Sequence, residues 1–270
     1  MRISIVTISY NQAEFLERAI RSVVEQDYED IEYIVVDPGS TDGSREIIEK
    51  YRDRIDKIIF EPDKGPADGL NKGFSHATGD VFGYLNSDDE YLPGSFSKIV
   101  KQFSENPTAD VIYGHTIIID KGGEVLRRSF SDTFNIKAFG YGACQIMQAS
   151  AFFRKNIWKK TKGFNVKNYS NWDGELWHDM FDKDGVFILM NDFLSCYRVH
   201  PKSITGSKIL DEKIRQYHRI RFRRIFNRDW KKSDDIFCLY WRIRRFLLSP
   251  ASFFERVRFG PVYGRCKKTS

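Results

Sequence analysis

The sequence predicts an α/β fold, with a doubly wound, mainly parallel sheet followed by a basic helical appendage. Three observations carry this expectation. Strand and helix patterns alternate through roughly the first 90 residues, a polar cluster follows each of four consecutive strand patterns, and charge is divided between body and tail. Residues 213–270 carry 17 Lys/Arg against 4 Asp/Glu, whereas residues 1–212 carry 26 against 33.

Ile3–Ile8 is an apolar run of strand length, after which Phe15, Leu16, Ala19, Ile20, Val23 and Val24 recur at helical spacing. Tyr33–Val36 is a second strand ending at Asp37. Ser44 stands where it can cap a helix that turns Ile47, Ile48 and Tyr51 inward. Lys57–Phe60 follows as a strand, then a helix carrying Leu70, Phe74 and Ala77, then a strand over Val81–Leu85. Such alternation implies parallel strands joined by crossover helices. Val111–Tyr113 and Ile117–Ile119 read as further strands, with Asp120-Lys121-Gly122-Gly123 as a hairpin turn. Ala151–Phe153 reads as a strand before a short helix that stops at Gly163. Asp173–Asp184 reads as a helix ending at Gly185, and Val186–Met190 and Phe193–Tyr197 as closing strands. Charge and periodicity change together near 205–212, which divides the chain into a body over 1–210 and a tail over 211–270.

With 270 residues, 41% hydrophobic and 15% aromatic, the chain can bury a substantial core, and wholesale disorder is excluded. The four cysteines, Cys144, Cys196, Cys238 and Cys266, form no CxxC pair and read as free thiols of a reducing compartment. The N-terminus runs directly into a strand without the features of a signal peptide. No apolar run reaches the roughly 18 residues of a spanning helix, so the expected location is the cytoplasm.

In an open parallel sheet, ligands bind beyond the carboxyl ends of the strands. Ser9-Tyr10-Asn11 follows the first strand, Asp37 to Ser44 the second, Asp63 to Gly73 the third, and Asn86-Ser87-Asp88-Asp89 the fourth. One such cluster is an ordinary turn; four in succession converge on one crevice. In order and spacing, "SIVTISYNQAEFLERAIRSVVEQ", "EYIVVDPGSTDGS", "DKGPADGLNKGFSHATGD" and "YLNSDDEYLPGS" resemble glycosyltransferase family 2. "QASAFFRKNIWKKTKGFN", "NWDGELWHDM" and "YRVHPKSIT" extend the resemblance over roughly residues 1–205.

The resemblance implies a GT-A-like catalytic domain over 1–210, with a nucleotide-sugar donor part over 1–95 and an acceptor part over 96–210. It also implies inverting transfer from a nucleotide-diphospho-sugar, of hexosyl or N-acetylhexosaminyl type, to a saccharide or lipid-linked acceptor in polysaccharide or lipopolysaccharide assembly. Thr7, Tyr10, Asn11 and Asp37 are expected around the base and ribose, and Asp68, Asn71 and Lys72 along the donor. Asp88 is expected at the ribose and metal, Asp89 as a direct ligand of Mn²⁺ or Mg²⁺, and His200 as an additional ligand. Asp173 aligns with the family's general base, with Glu175, Gln148 and Trp172 on the acceptor side. Two positions depart from the commonest family pattern: Pro38 replaces an acidic residue or glycine, and Asn86 replaces the first acid of the aspartate motif.

The tail interleaves bases with aromatics, as in Arg219, Arg221, Phe222, Arg223, Arg224 and Phe226. This pattern suits an anionic membrane surface, which would make the protein peripheral on the inner face. A helical appendage packed on the body is the alternative, and no nucleic-acid-binding module is recognisable. Two other functions are open to the sequence. A sugar-nucleotide pyrophosphorylase would begin with a glycine-rich phosphate loop, which Ser9-Tyr10-Asn11-Gln12 does not resemble. A non-catalytic basic binding protein would have no need of Asp37, Asp88, Asp89 and Asp173.

Overall fold

The computed structural model describes residues 1–201, 203 and 211–260. The sequence boundary expected near 205–212 and Cys266 fall largely or wholly outside the described residues. The first half follows the expected rhythm: β1 (Ile3–Ile8), α1 (Ala13–Val24), β2 (Ile31–Val36), α2 (Ser44–Lys50), β3 (Lys57–Ile59), α3 (Pro66–His76) and β4 (Val81–Asn86). These four strands lie parallel in the order β3-β2-β1-β4.

Alternation along these strands feeds two cores. Ile3 and Ile5 of β1, with Tyr33 and Val35 of β2, pack under α1 and α2. Val6, Ile34 and Val36 point to the opposite side, against Leu70 and Phe74 of α3. Both faces are therefore apolar, as a sheet covered by helices on two sides requires. The close approach of α3 depends on Gly73, where an added Cβ would come within 2.4 Å of Val6. The expected Ser44 cap is not formed. Gly43 occupies the cap position with a φ of +98°, while Asp42 accepts the Ser44 N–H and Ser44 accepts the Gln12 N–H.

The second half contains β5 (Glu90–Tyr91), α4 (Ser95–Glu105), β6 (Val111–Ile119), β7 (Val125–Ser129), α5 (Ile136–Gly140), β8 (Ala151–Arg154), α6 (Lys155–Lys160), α7 (Trp172–Phe181) and β9 (Phe187–Arg198). Here the expectation of mainly parallel strands is corrected, because the complete sheet is mixed. β8 runs antiparallel between β4 and β6, β9 runs parallel to β6, and β5 and β7 pair antiparallel at the periphery. Short returning strands need no crossover helix, so the sheet widens without a fifth βα unit. Two pairs of expected strands also merge. Val111–Tyr113 and Ile117–Ile119 are parts of β6, and Val186–Met190 and Phe193–Tyr197 fall almost entirely within β9. Register shifts beside His115 absorb the polar interruption at Asn191 and Asp192. α7 ends earlier than expected, with Asp184 at a φ of +60° and the Gly185 N–H returning to the Met180 carbonyl.

The tail forms α8 (Asp211–Phe226), α9 (Asp234–Leu248) and α10 (Pro250–Phe259), and it packs on the body. Arg245 pairs with Asp132 at 2.8 Å, Arg224 with Asp179 at 2.6 Å, and Arg128 of the body with Glu255 at 2.8 Å. Tyr141 donates its hydroxyl to Asp234 at 2.9 Å, and Phe226 sits so close to Gly140 that a Cβ there would meet its ring at 2.7 Å.

One side chain ties the wider sheet to the end of β4. Arg198, the last residue of β9, has 0% exposure. Its N–H donates to Asp89 at 3.0 Å and its Nε to the Asp88 carbonyl at 2.9 Å. Nη1 donates to the carbonyls of Asp120 and Lys121, Nη2 pairs with Glu90, and the guanidinium lies 5.2 Å from the centre of the Phe15 ring. Arg198 is fully buried but Glu90 is 27% exposed, so losing the arginine costs only part of the roughly 3–5 kcal/mol of a fully buried pair. Arg198→Met should therefore lower unfolding free energy by about 2–3 kcal/mol in a denaturant titration. A change below about 1 kcal/mol, the range of an exposed pair, would show that the network does not bear on stability.

Candidate active site

A cavity of about 1060 Å³ opens beyond the carboxyl ends of β1 to β4. It is at the upper end of the size range for small-molecule sites, with room for a donor and the reacting end of an acceptor. Ile8, Ser9, Tyr10, Pro38 and Asp63 line one part, Asn86, Asp88 and Gln148 the middle, and Trp172, Asp173 and Arg221 another part.

Of the residues expected around the donor, Tyr10 and Asp88 line the cavity directly. Tyr10 is 61% exposed and presents its ring at the rim. The others stand behind the wall. Thr7 is fully buried and accepts a 3.0 Å hydrogen bond from Tyr33. Asn11, at a φ of +51°, accepts the Thr41 N–H and donates its own N–H to Ser40, joining the loops after β1 and β2. Asp37 has 0% exposure and turns its carboxylate into its own loop. It accepts from the N–H groups of Gly39 and Ser40, the Ser40 hydroxyl and, at 3.2 Å, the Arg45 guanidinium. Asp68 accepts the Lys64 N–H, Asn71 exchanges two hydrogen bonds with the Phe164 backbone, and Lys72 donates to the Pro62 carbonyl. These groups shape the loops, and Asp63, which was not singled out from its cluster, supplies the carboxylate that reaches the cavity. Burial pushes the Asp63 carboxyl up, and Asp68 and Asp37 add to that effect.

The two neighbouring aspartates divide their tasks. Asp88 faces the cavity with Oδ2 3.0 Å from Nε2 of His200, and His200 packs its ring 4.7 Å from that of Phe15. Asp89, expected to be the direct metal ligand, is buried behind it. Its Oδ1 accepts the Arg198 N–H and its Oδ2 the Asn86 amide. Burial, and then the charge of Asp88, hold the Asp89 carboxyl well above the usual carboxylate range. Asn86 explains its own departure from the family pattern, because its amide donates to Asp89 and to Gln148 at 3.3 Å each, which a carboxylate cannot do. Gln148 in turn donates to the Tyr84 carbonyl at 3.0 Å. No ready-made group of three His, Cys, Asp or Glu ligands exists among the described residues.

α7 begins at the cavity wall, with Trp172 and Asp173 in its first turn. Asp173 is half-buried, and burial raises its carboxyl above the ordinary value, opposed by N–H groups of the first helical turn and by nearby Arg221. Glu175 does not line the cavity. It accepts from the side-chain amides of Asn165 and Asn168, at 3.0 and 2.8 Å, and thereby ties down the loop before α7.

The sequence reading missed the contribution of the tail to the wall: Ile214, His218, Arg221, Arg245 and Arg256 all line the cavity. The available signal was composition, since Arg221 stands among ordinary surface arginines in the sequence. The hub residue Arg198 was quoted only as a neighbour of His200.

The glycosyl transferase family 2 sequence model matches residues 4–172. Among curated relatives, an uncharacterized glycosyltransferase of Nostoc is 41% identical over 44% of this chain, which spans 38% of that protein. A Campylobacter jejuni GalNAc(5)-diNAcBac-PP-undecaprenol beta-1,3-glucosyltransferase is 24% identical over 79% of this chain and 75% of its own length. The solved structure of the mannosyltransferase PcManGT from Pyrobaculum calidifontis, in complex with GDP-Man and Mn²⁺, superposes with a TM-score of 0.64. It covers 95% of this chain and 73% of its own at 17% identity, a likeness of fold in the GT-A class. The strand-end cavity, the Asp88-Asp89 turn and the sequence match together establish that this chain belongs to glycosyl transferase family 2.

Proposed function

We propose that the chain transfers a sugar, of hexosyl or N-acetylhexosaminyl type, from a nucleotide-diphospho-sugar to a hydroxyl of a saccharide or lipid-linked saccharide, with inversion, in cell-surface polysaccharide or lipopolysaccharide assembly. The observation that carries this reading is that Asp88, backed by its 3.0 Å contact with the buried His200, and Asp173 line the same cavity. The nucleotide is assigned to the part lined by Tyr10, Pro38 and Asp63, with Asp37 and Asn11 holding the loops that form it.

Asp173 accepts the proton of the acceptor hydroxyl as that oxygen bonds to the anomeric carbon. The bond from that carbon to the donor's diphosphate oxygen breaks, and the nucleoside diphosphate leaves with the bonding pair. Attack opposite the leaving group inverts the centre. A carboxylate with a raised pKa is a stronger base once ionised, and its charge favours an oxocarbenium-like transition state. Asp88 and His200 offer a carboxylate oxygen and an imidazole nitrogen, a donor set suited to Mn²⁺ or Mg²⁺ when substrate phosphates complete the coordination. Such an ion would supply Lewis-acid stabilisation of the departing diphosphate.

The tail supports attachment to an anionic membrane surface. No helix is long and apolar enough to span a bilayer among the described residues. Yet Ile236, Leu239, Tyr240, Ile243 and Leu247 recur at helical spacing on α9 and are exposed, Leu247 by 75%, with Phe254 and Val257 of α10 also exposed. Arg242 and Arg244 stand among them, the composition of a helix lying in a membrane interface. A peripheral position on the inner membrane face follows from this reading.

Four measurements test these assignments. Asp173→Asn should reduce transfer by about 10²- to 10⁴-fold while nucleotide binding changes by less than about 1 kcal/mol. The wild-type rate should fall with acid through a value raised from that of an ordinary aspartate, because the base works ionised and burial raises its pKa. Transfer by the variant at a tenth of the normal rate would move the base elsewhere. Asp88→Asn should weaken Mn²⁺-dependent binding of UDP or GDP by about tenfold or more in calorimetry, and unchanged binding would exclude Asp88 from the metal site. Leu247→Glu with Phe254→Glu should reduce sedimentation of the full chain with phosphatidylglycerol vesicles, and added salt should reduce wild-type binding. Equal sedimentation of the variant would remove the membrane reading.

A further inference from the structure

The tail contributes a cationic wall to the cavity. Arg221, on α8, is only 5% exposed, stacks its guanidinium 4.3 Å over the Phe139 ring, and donates from Nη2 to Nδ1 of His218 at 2.5 Å. Its buried Nε has no hydrogen-bond partner. Other arginines that join tail and body are neutralised: Arg245 by Asp132, Arg224 by Asp179 and Asp182, and Arg228 by Asp234. None of the ion pairs among the described residues includes Arg221, or Arg256 at the more open edge of the same wall.

Asp173 acts on Arg221 only through space, so this buried cation has no ion-pair partner in contact, and a cavity wall is where a ligand anion can supply one. We propose that Arg221, His218 and Arg256 form an anion subsite for a phosphate or diphosphate group of the acceptor. His218 uses Nδ1 as acceptor for Arg221, which leaves the ring proton on Nε2 as a further donor. The planar guanidinium of Arg221 suits a phosphate face. The acceptor, not the donor, is its owner because Arg221 acts on Asp173, the assigned base, while the nucleotide is assigned to the loops after β1, β2 and β3. This inference rests on the glycosyltransferase reading of the cavity, and it adds the acceptor's charge to that reading.

The test is calorimetry on the full chain with three probes: octyl phosphate, methyl phosphate and the uncharged octyl glucoside. Octyl phosphate should bind, and Arg221→Gln and Arg256→Gln should each weaken it by about tenfold or more, the effect of losing a hydrogen bond to a charged group. Arg256→Lys should retain most of the binding, and melting curves identify any variant that has not folded. Because Arg256 lies at the open edge, its variants keep the test decisive even if Arg221→Gln fails to fold. Tighter binding of octyl phosphate than of methyl phosphate assigns a lipid-borne phosphate; equal binding assigns a phosphate within a soluble acceptor, and both support the subsite. Octyl phosphate binding no better than octyl glucoside, or unaltered by Arg256→Gln, overturns it. UDP or GDP binding with Mn²⁺ should stay within about twofold in these variants, because the donor contacts come from other loops. A matched loss would assign the arginines to the donor and overturn the proposal. Failure of the wild-type chain to bind either nucleotide would instead defeat the transferase reading, independently of the octyl phosphate result.

Discussion

Arg198 carries a permanent charge into a place without solvent, and the geometry of the cavity follows from how that charge is satisfied. Its backbone N–H, guanidinium and ring contact fasten the Asp88-Asp89 turn, the hairpin at Asp120 and Lys121, Glu90 and Phe15 to the end of β9. His200, two residues further along, is thereby delivered to Asp88. A carboxylate at the end of β4 and an imidazole more than 100 residues later meet because one buried cation fixes both chain segments. The chemistry of the cavity and the stability of the wider sheet share that interaction.

Behind the reactive surface lies a layer of polar residues whose partners are other loops. Asp37 braces its own turn, Asn11 bridges to Thr41, Asn71 clasps Phe164 and Glu175 holds two asparagines. A motif records that a position is constrained, without recording whether the constraint comes from a ligand or from the loop that receives it. The βα alternation, the position of the crevice and the placing of Asp88 and Asp173 on it were legible, because strand-end chemistry in a parallel sheet follows from topology. The division between Asp88 and Asp89 was not legible: adjacent residues in a turn point in different directions, and only the partner from β9 decides which one is buried. The mixed second half was equally hidden. Short strands such as β8 carry no local sign of whether their neighbours run parallel or antiparallel.

The tail illustrates how composition leaves the placement of individual charges open. Its surplus of arginine suggests a face turned to an external anionic surface. Several of those arginines instead turn inward to Asp132, Asp179 and the cavity, while Ile236, Ile243 and Leu247 point outward. The ordinary expectation for an amphipathic helix on a globular body is the reverse, apolar inward and charged outward. The periodicity is the same for both orientations, so the sequence alone could not choose between them.

The contact of Phe226 with Gly140 has a consequence for how such a chain can be recombined. A side chain at position 140 larger than hydrogen would collide with the ring, so α5 and α8 must be matched as a pair. The family match ends at residue 172, well before α8, yet α8 supplies part of the cavity wall. A hybrid joined at the edge of the matched region would combine one body with a foreign tail whose first helix no longer seats. Exchange of the tail between relatives would therefore have to carry α5 with it, as one inherited block.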